Sequence, residues 1–83
     1  MLLKKGSSGH QVVELQEALE ALGYELGLCD GAFGPATEKA VKKFQSNNSL
    51  SIDGKVGPIT IEILNKALKV SDYDLISEDI QNE

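Results

Sequence analysis

The sequence predicts an all-α fold, a compact three-helix bundle with short connecting turns, from three observations. Apolar residues recur at helical spacing in three separate stretches. Both prolines, Pro35 and Pro58, stand where a helix can begin, and the segments between the stretches are only long enough for turns. Eighty-three residues support one small domain, and with no Trp and four aromatics (Tyr24, Phe33, Phe44, Tyr73) its core must be mainly aliphatic.

The first helix follows Gly6-Ser7-Ser8-Gly9, where a serine is expected as N-cap, and runs to about Leu22. Val12, Leu15, Leu19 and Leu22 fall within about 80° on a helical wheel, a single core stripe. Gly23 suits the left-handed position beyond a helix end. The second helix runs from Pro35 to about Ser46, with Thr37, Ala40, Val41 and Phe44 on one face. Asn47-Asn48-Ser49 ends it, with an Asn expected in the left-handed conformation. The third runs from Pro58 to about Leu68, with Ile61, Leu64 and Leu68 aligned. Leu28, Leu50 and Ile52 in the links are expected to plug the ends of the core. Ile59 and Ile63, at i,i+4 spacing, fall opposite the third stripe. The expected division is a domain over residues 1–69 and an acidic tail over 70–83, disordered or docked on Ile59 and Ile63.

Two segments share one pattern. Asp30 to Thr37 and Asp53 to Thr60 both read Asp-Gly-x-apolar-Gly-Pro-x-Thr, 23 residues apart. Asp-Gly is a turn dipeptide, and proline at the first helical position loses only an N–H that would be unpaired anyway. Each segment therefore reads as a tight turn feeding a helix.

Charge and chemistry exclude several functions. The net charge is −5, yet residues 1–68 carry seven Lys against eight acids, so the acidity lies in the tail. No basic surface for nucleic acid or anionic lipid is expected. One Cys precludes an internal disulfide, and one Cys with one His makes a zinc site or a nucleophile–base pair implausible, so no metal, cofactor or catalytic residue is expected. The first residues lack the apolar core of a signal peptide and no run reaches membrane-spanning length. The chain is expected either to stay inside the cell or to belong to a larger or separately exported protein.

Together these residues resemble the type-1 peptidoglycan-binding domain from about Leu3 to Leu68. The resemblance runs through Lys5-Gly6-Ser7-Ser8-Gly9, Val12-x-x-Leu15-Gln16-x-x-Leu19, Leu22-Gly23-Tyr24, the first Asp-Gly segment, Val41-x-x-Phe44-Gln45 and the second Asp-Gly segment. It implies a three-helix module without activity of its own, attached to enzymes that act on bacterial or phage-attacked cell wall, with peptidoglycan as partner and a location in the wall, periplasm or outside the cell. The family often has Asn-Gly-Leu-Pro where this chain has Asn48-Ser49-Leu50-Ser51, and an aromatic near Ile61. Similar modules occur in metalloproteinase prodomains that block zinc with a cysteine, but Leu28-Cys29-Asp30-Gly31 does not match that segment.

Asp30 and Asp53 could be a carboxylate pair for acid–base work, but each occupies the same slot of a repeated turn, and a catalytic pair needs unlike environments. Gln16 and Gln45 also occupy matching places. A side-chain amide suits the peptide and N-acetyl groups of wall polymer, although locking a neighbouring loop is favoured over it, most for Gln16. Cys29 reads as a small buried hydrophobe and His10 as exposed and incidental. Tyr24 reads equally as a plug or a stacking platform. A ligand groove is expected where the two turns meet the end of the second helix, built from Tyr24, Asp30, Phe33, Gln45, Asn48, Asp53 and Val56. The helix starts at Gly34-Pro35 and Gly57-Pro58 could face a stem-peptide carboxylate. The rival reading is a protein–protein adaptor using Ile59, Ile63 and the tail.

Overall fold

Both prolines open helices. Pro35 is the first residue of α2 (Pro35–Asn47) and Pro58 the first of α3 (Pro58–Ile76), while α1 (His10–Ala21) starts just beyond Gly9. The computed structural model describes residues 2–76 and contains three helices, with no strand among the described residues. The core takes Val12, Leu15 and Leu19 from α1, Ala40, Val41 and Phe44 from α2, and Leu64 from α3. Leu3, Leu26, Phe33 and Val56 enter it from the connecting segments. Burial of each large side chain contributes about 1.5–3 kcal/mol.

The N-terminal segment is a strap over both Asp-Gly turns. Leu3 and Val56 exchange backbone hydrogen bonds (2.9 and 2.7 Å). A few residues on, the Gly6 N–H donates to the Phe33 carbonyl (3.0 Å), the Phe33 N–H to the Ser7 carbonyl (2.9 Å) and the Gly9 N–H to the Gly31 carbonyl (2.9 Å). The strap thus satisfies the backbone at the apolar position of each turn, where Phe33 and Val56 point into the core.

α1 and α2 end alike. After α1 the Tyr24 N–H reaches the Leu19 carbonyl (3.0 Å) and the Gly23 N–H the Glu20 carbonyl (3.0 Å), with Gly23 at φ 94°. After α2 the Leu50 N–H reaches the Gln45 carbonyl (2.8 Å) and the Ser49 N–H the Ser46 carbonyl (3.3 Å), a second Schellman motif. Its left-handed residue is Ser49, at φ 58°, rather than an Asn. Asn48 stays at φ −112° because its amide donates to the Phe44 carbonyl (2.8 Å). A serine there is strained by about 1–2 kcal/mol, part of which the greater freedom of unfolded glycine offsets. Ser49→Gly is therefore expected to stabilise the fold by roughly 0.5–1 kcal/mol, read as a higher urea midpoint; an unchanged or lower midpoint would contradict the strain.

Other expectations are corrected. Gly9, not a serine, precedes α1, with no side-chain cap, because its N–H and carbonyl are engaged by Gly31 and by Val12 and Val13. Leu28 and Ile52 are 82% and 57% exposed, and Leu26 seals the first link instead. α3 runs eight residues past Leu68, since no Gly or Pro interrupts Lys69 to Ile76. Residues 70–76 therefore continue that helix and cannot fold back onto it, while the rest of the acidic tail, 77–83, lies outside the described residues. Ile63 packs partly against the core, because burial of Thr60 turns the inner face of α3 toward Thr60 and Leu64. Ile59 alone of the pair is well exposed, at 67%.

Candidate functional site

Each Asp-Gly turn is clamped by a buried glutamine from the preceding helix, and the two clamps match bond for bond. At the first, Gln16 Nε2 donates to Thr37 Oγ1 (3.0 Å), the Ala32 carbonyl (3.1 Å) and Asp30 Oδ1 (3.4 Å), while Gln16 Oε1 accepts the Gly31 N–H (2.9 Å). At the second, Gln45 Nε2 donates to the Lys55 carbonyl (2.8 Å), Asp53 Oδ1 (2.9 Å) and Thr60 Oγ1 (3.3 Å), while Gln45 Oε1 accepts the Gly54 N–H (3.0 Å). Each aspartate also accepts the N–H two residues on, from Ala32 (3.0 Å) and Lys55 (2.9 Å). Every polar atom of both amides is used, at 1% exposure.

The turn glycines are required by the backbone, and at Gly31 by space as well. Gly31 and Gly54 have φ of 81° and 72°. A Cβ on Gly31 would stand 3.0 Å from Val13 Cγ2, and one on Gly54 would stand 3.0 Å from Lys42 Cε.

The clamps set the ionisation of both aspartates. The Ala32 N–H and then Gln16 hold the Asp30 carboxyl below its usual range, and the Lys55 N–H and then Gln45 do so for Asp53. A lowered folded-state pKa gives stability that is present above the unfolded value and lost as pH falls through the folded value. The melting temperature should accordingly drop below about pH 4, and more steeply than in an Asp30→Asn/Asp53→Asn double variant. Parallel acid profiles for the two proteins would show that the clamps do not act through ionised carboxylates.

The exposed chemistry lies elsewhere. A groove of about 550 Å³ runs between α2 and the link that follows α1, lined by Tyr24, Glu25, Lys39, Lys43, Ser46 and Asn47 among others. The Tyr24 ring stands edge-to-face on Phe44, centroids 6.0 Å apart, and its hydroxyl accepts from Asn47 Nδ2 (2.9 Å). One end of the tyrosine is thereby fixed to the core and the other presented to the groove. A more apolar groove of about 480 Å³ separates α1 from α3 over Leu15, Ile61 and Leu64. A third, beside the second turn, includes Asp53, Leu2 and Ile59.

The seven residues expected in one groove are divided among several places. Phe33 (2% exposed), Gln45 (1%) and Val56 (1%) are core residues, although Gln45 borders the groove beside the second turn together with Asp53, and Val56 borders the groove between α1 and α3. Asp30 and Asp53 are exposed but belong to separate turns, Asn48 caps α2, and of the seven only Tyr24 lines the groove between α2 and the link after α1. Of the two helix starts expected to face a carboxylate, that of α2 has Glu38 in its first turn and that of α3 has no acidic residue there. Cys29 is half-buried rather than buried, its thiol pushed up by desolvation and by the Glu20 and Glu17 carboxylates. His10 is exposed, 3.4 Å from Glu14.

Sequence reasoning missed the segregation of charge. α1 exposes Glu14, Glu17 and Glu20, whereas α2 exposes Lys39, Lys42 and Lys43. The signal was present as lysines at i, i+3 and i+4, but a near-zero sum over the domain concealed it. Among the described residues, no group of three His, Cys, Asp or Glu side chains is placed to hold a metal ion, and no helix is long and apolar enough to cross a membrane.

Comparison with known proteins adds an independent finding. Residues 8–64 match the family of peptidoglycan binding domains. The spore cortex-lytic enzyme of Bacillus cereus is 40% identical over 68 residues, 82% of this chain and 26% of that protein. The zinc D-Ala-D-Ala carboxypeptidase of Streptomyces albus G is 43% identical over 75 residues, 87% of this chain and 28% of that protein. The chain thus spans about a quarter of the length of these curated relatives. The crystal structure of the SleB N-terminal domain superposes with a TM-score of 0.79 at 39% identity, covering 81% of this chain and 92% of that one. A Burkholderia AP3 phage endolysin gives 0.74 at 39%, covering 77% and 24%.

Proposed function

Because this chain belongs to the peptidoglycan binding domain family, matched over residues 8–64, we propose that it holds an attached or associated wall-active protein on peptidoglycan without performing chemistry. One observation carries the reading. The similar portion recurs in proteins named for different activities, a spore cortex-lytic enzyme, a D-Ala-D-Ala carboxypeptidase and an N-acetylmuramoyl-L-alanine amidase. A segment shared by different cleavages serves what they have in common, the polymer, rather than any one reaction. The relatives' names favour a place at the cell wall or spore cortex.

The geometry is consistent with binding rather than turnover. Asp30 and Asp53 sit in matching environments that keep both ionised, whereas acid–base catalysis needs two unlike groups. The groove beside Tyr24 supplies an aromatic face, a side-chain amide, a hydroxyl and two ammonium groups, the donors that a sugar–peptide polymer can use. Such a site is weak alone and gains from tethering, which raises the local concentration of the second contact.

Incubation with insoluble, purified peptidoglycan tests the reading. The protein should pellet with the polymer and release no soluble muropeptides. Recovery wholly in the supernatant would overturn binding, and released fragments would overturn the non-catalytic role. The adaptor reading survives in reduced form, since Ile59 and Leu2 (52% exposed) line one groove, though Ile63 is turned inward. Failure to pellet together with capture of a specific protein, lost in Ile59→Ser, would favour it.

A further inference from the structure

The groove beside Tyr24 carries more charge than a sugar needs. Lys39 and Lys43 stand at i,i+4 on the exposed face of α2, and both line it with Ser46 and Asn47. Among the described residues neither ammonium lies within ion-pair distance of a carboxylate, whereas Lys66 pairs with Glu62 at 3.9 Å and His10 with Glu14 at 3.4 Å. Glu25 lines the same groove but makes no ion pair there. A shallower depression along α2 shares Lys39, Lys43 and Ser46 and adds Lys42, so the cationic strip continues past the groove. Two free ammonium groups beside a hydroxyl and an amide form an anion-recognising arrangement, and the tyrosine flanks it with an apolar face.

Resting on the peptidoglycan reading, we propose that this groove takes the stem peptide of the wall polymer rather than its glycan chain, with Lys39 and Lys43 receiving the peptide's free carboxylates. Tyr24 covers the apolar side of the peptide, and Ser46 and Asn47 bond its amides. The two lysines discriminate between parts of the polymer, because unmodified glycan hydroxyls and N-acetyl groups offer them no charge. The acidic face of α1 repels the same ligand and leaves α2 as the side it approaches.

The test is calorimetric titration of the whole chain with three soluble probes: a disaccharide carrying a stem tetrapeptide, a neutral N-acetylglucosamine oligomer, and poly(glycerol phosphate). The proposal expects binding to the first that weakens with salt and falls roughly fivefold to twentyfold in Lys39→Gln/Lys43→Gln. Lys39→Arg/Lys43→Arg should retain it. Both variants change exposed side chains, and an unchanged melting temperature confirms an intact fold. Equal binding of the neutral N-acetylglucosamine oligomer, or an unaffected glutamine variant, overturns the proposal while leaving wall binding in place. Lysine-dependent binding of poly(glycerol phosphate) without binding of the stem-peptide probe assigns the groove to a phosphodiester polymer and overturns it too. If the chain binds none of the probes and also fails to pellet with insoluble wall, the peptidoglycan reading itself is lost.

Discussion

Replacing Gln45 by methionine, close to it in size but without the amide, is expected to destabilise the protein by about 2–4 kcal/mol. The side chain is buried and holds four groups at once: the Gly54 N–H, the Lys55 carbonyl, the Thr60 hydroxyl and the Asp53 carboxylate. Methionine would fill the volume and leave the buried Gly54 N–H without a partner, each such loss costing about 1–3 kcal/mol. In a domain of this size that removes a large part of the total stability and lowers the melting temperature by roughly 10–20 °C. Gln16→Met should behave alike, because its bonds are the same set. A drop of only a degree or two in both would mean that water replaces the amides and that the clamps are not what holds the turns.

Phe44→Ala is the second large effect. Phe44 is the largest fully buried side chain and the support on which Tyr24 rests. Truncation should cost about 3–5 kcal/mol and leave a cavity beneath the groove. Phe44→Leu separates stability from function. It keeps most of the packing but removes the aromatic contact, worth about 0.5–1.5 kcal/mol. The leucine variant should remain folded at 25 °C and bind wall fragments more weakly, as its tyrosine loses its fixed angle. Wild-type affinity in a folded Phe44→Leu protein would remove Tyr24 from the site.

The fold was legible where local chemistry decides it. Proline at the first helical position and Gly23 beyond a helix end specify backbone geometry by themselves, and the structure has both. The clamps were half legible: the matched glutamines were visible, but which loop each reached depends on tertiary placement. What could not be read depends on contacts between distant segments. The strap uses residues without helical or strand periodicity, and Gly9 replaces a serine cap because the strap already engages its backbone. On α3, Leu64 and Ile61 do meet the core as the aliphatic spacing suggests, but Ile63 was misplaced, since a polar residue, Thr60, is drawn inside by its bond to Gln45. The site was the least legible part. Turn residues that recur in sequence looked functional, yet recurrence here follows from the clamps, and the groove is lined by lysines that the summed charge had hidden.

The central claim is that this small helical body binds wall polymer at the surface formed by Tyr24 and α2 while both clamped turns only maintain its shape. Amide spectra of the 15N-labelled chain, recorded during addition of a soluble stem-peptide muropeptide, test this most directly. Saturable shifts should cluster at Tyr24, Lys43, Ser46 and Asn47, with the Gly31 and Gly54 amides unmoved. No saturable shift at millimolar ligand, or shifts centred on the two glycine turns, would contradict the account.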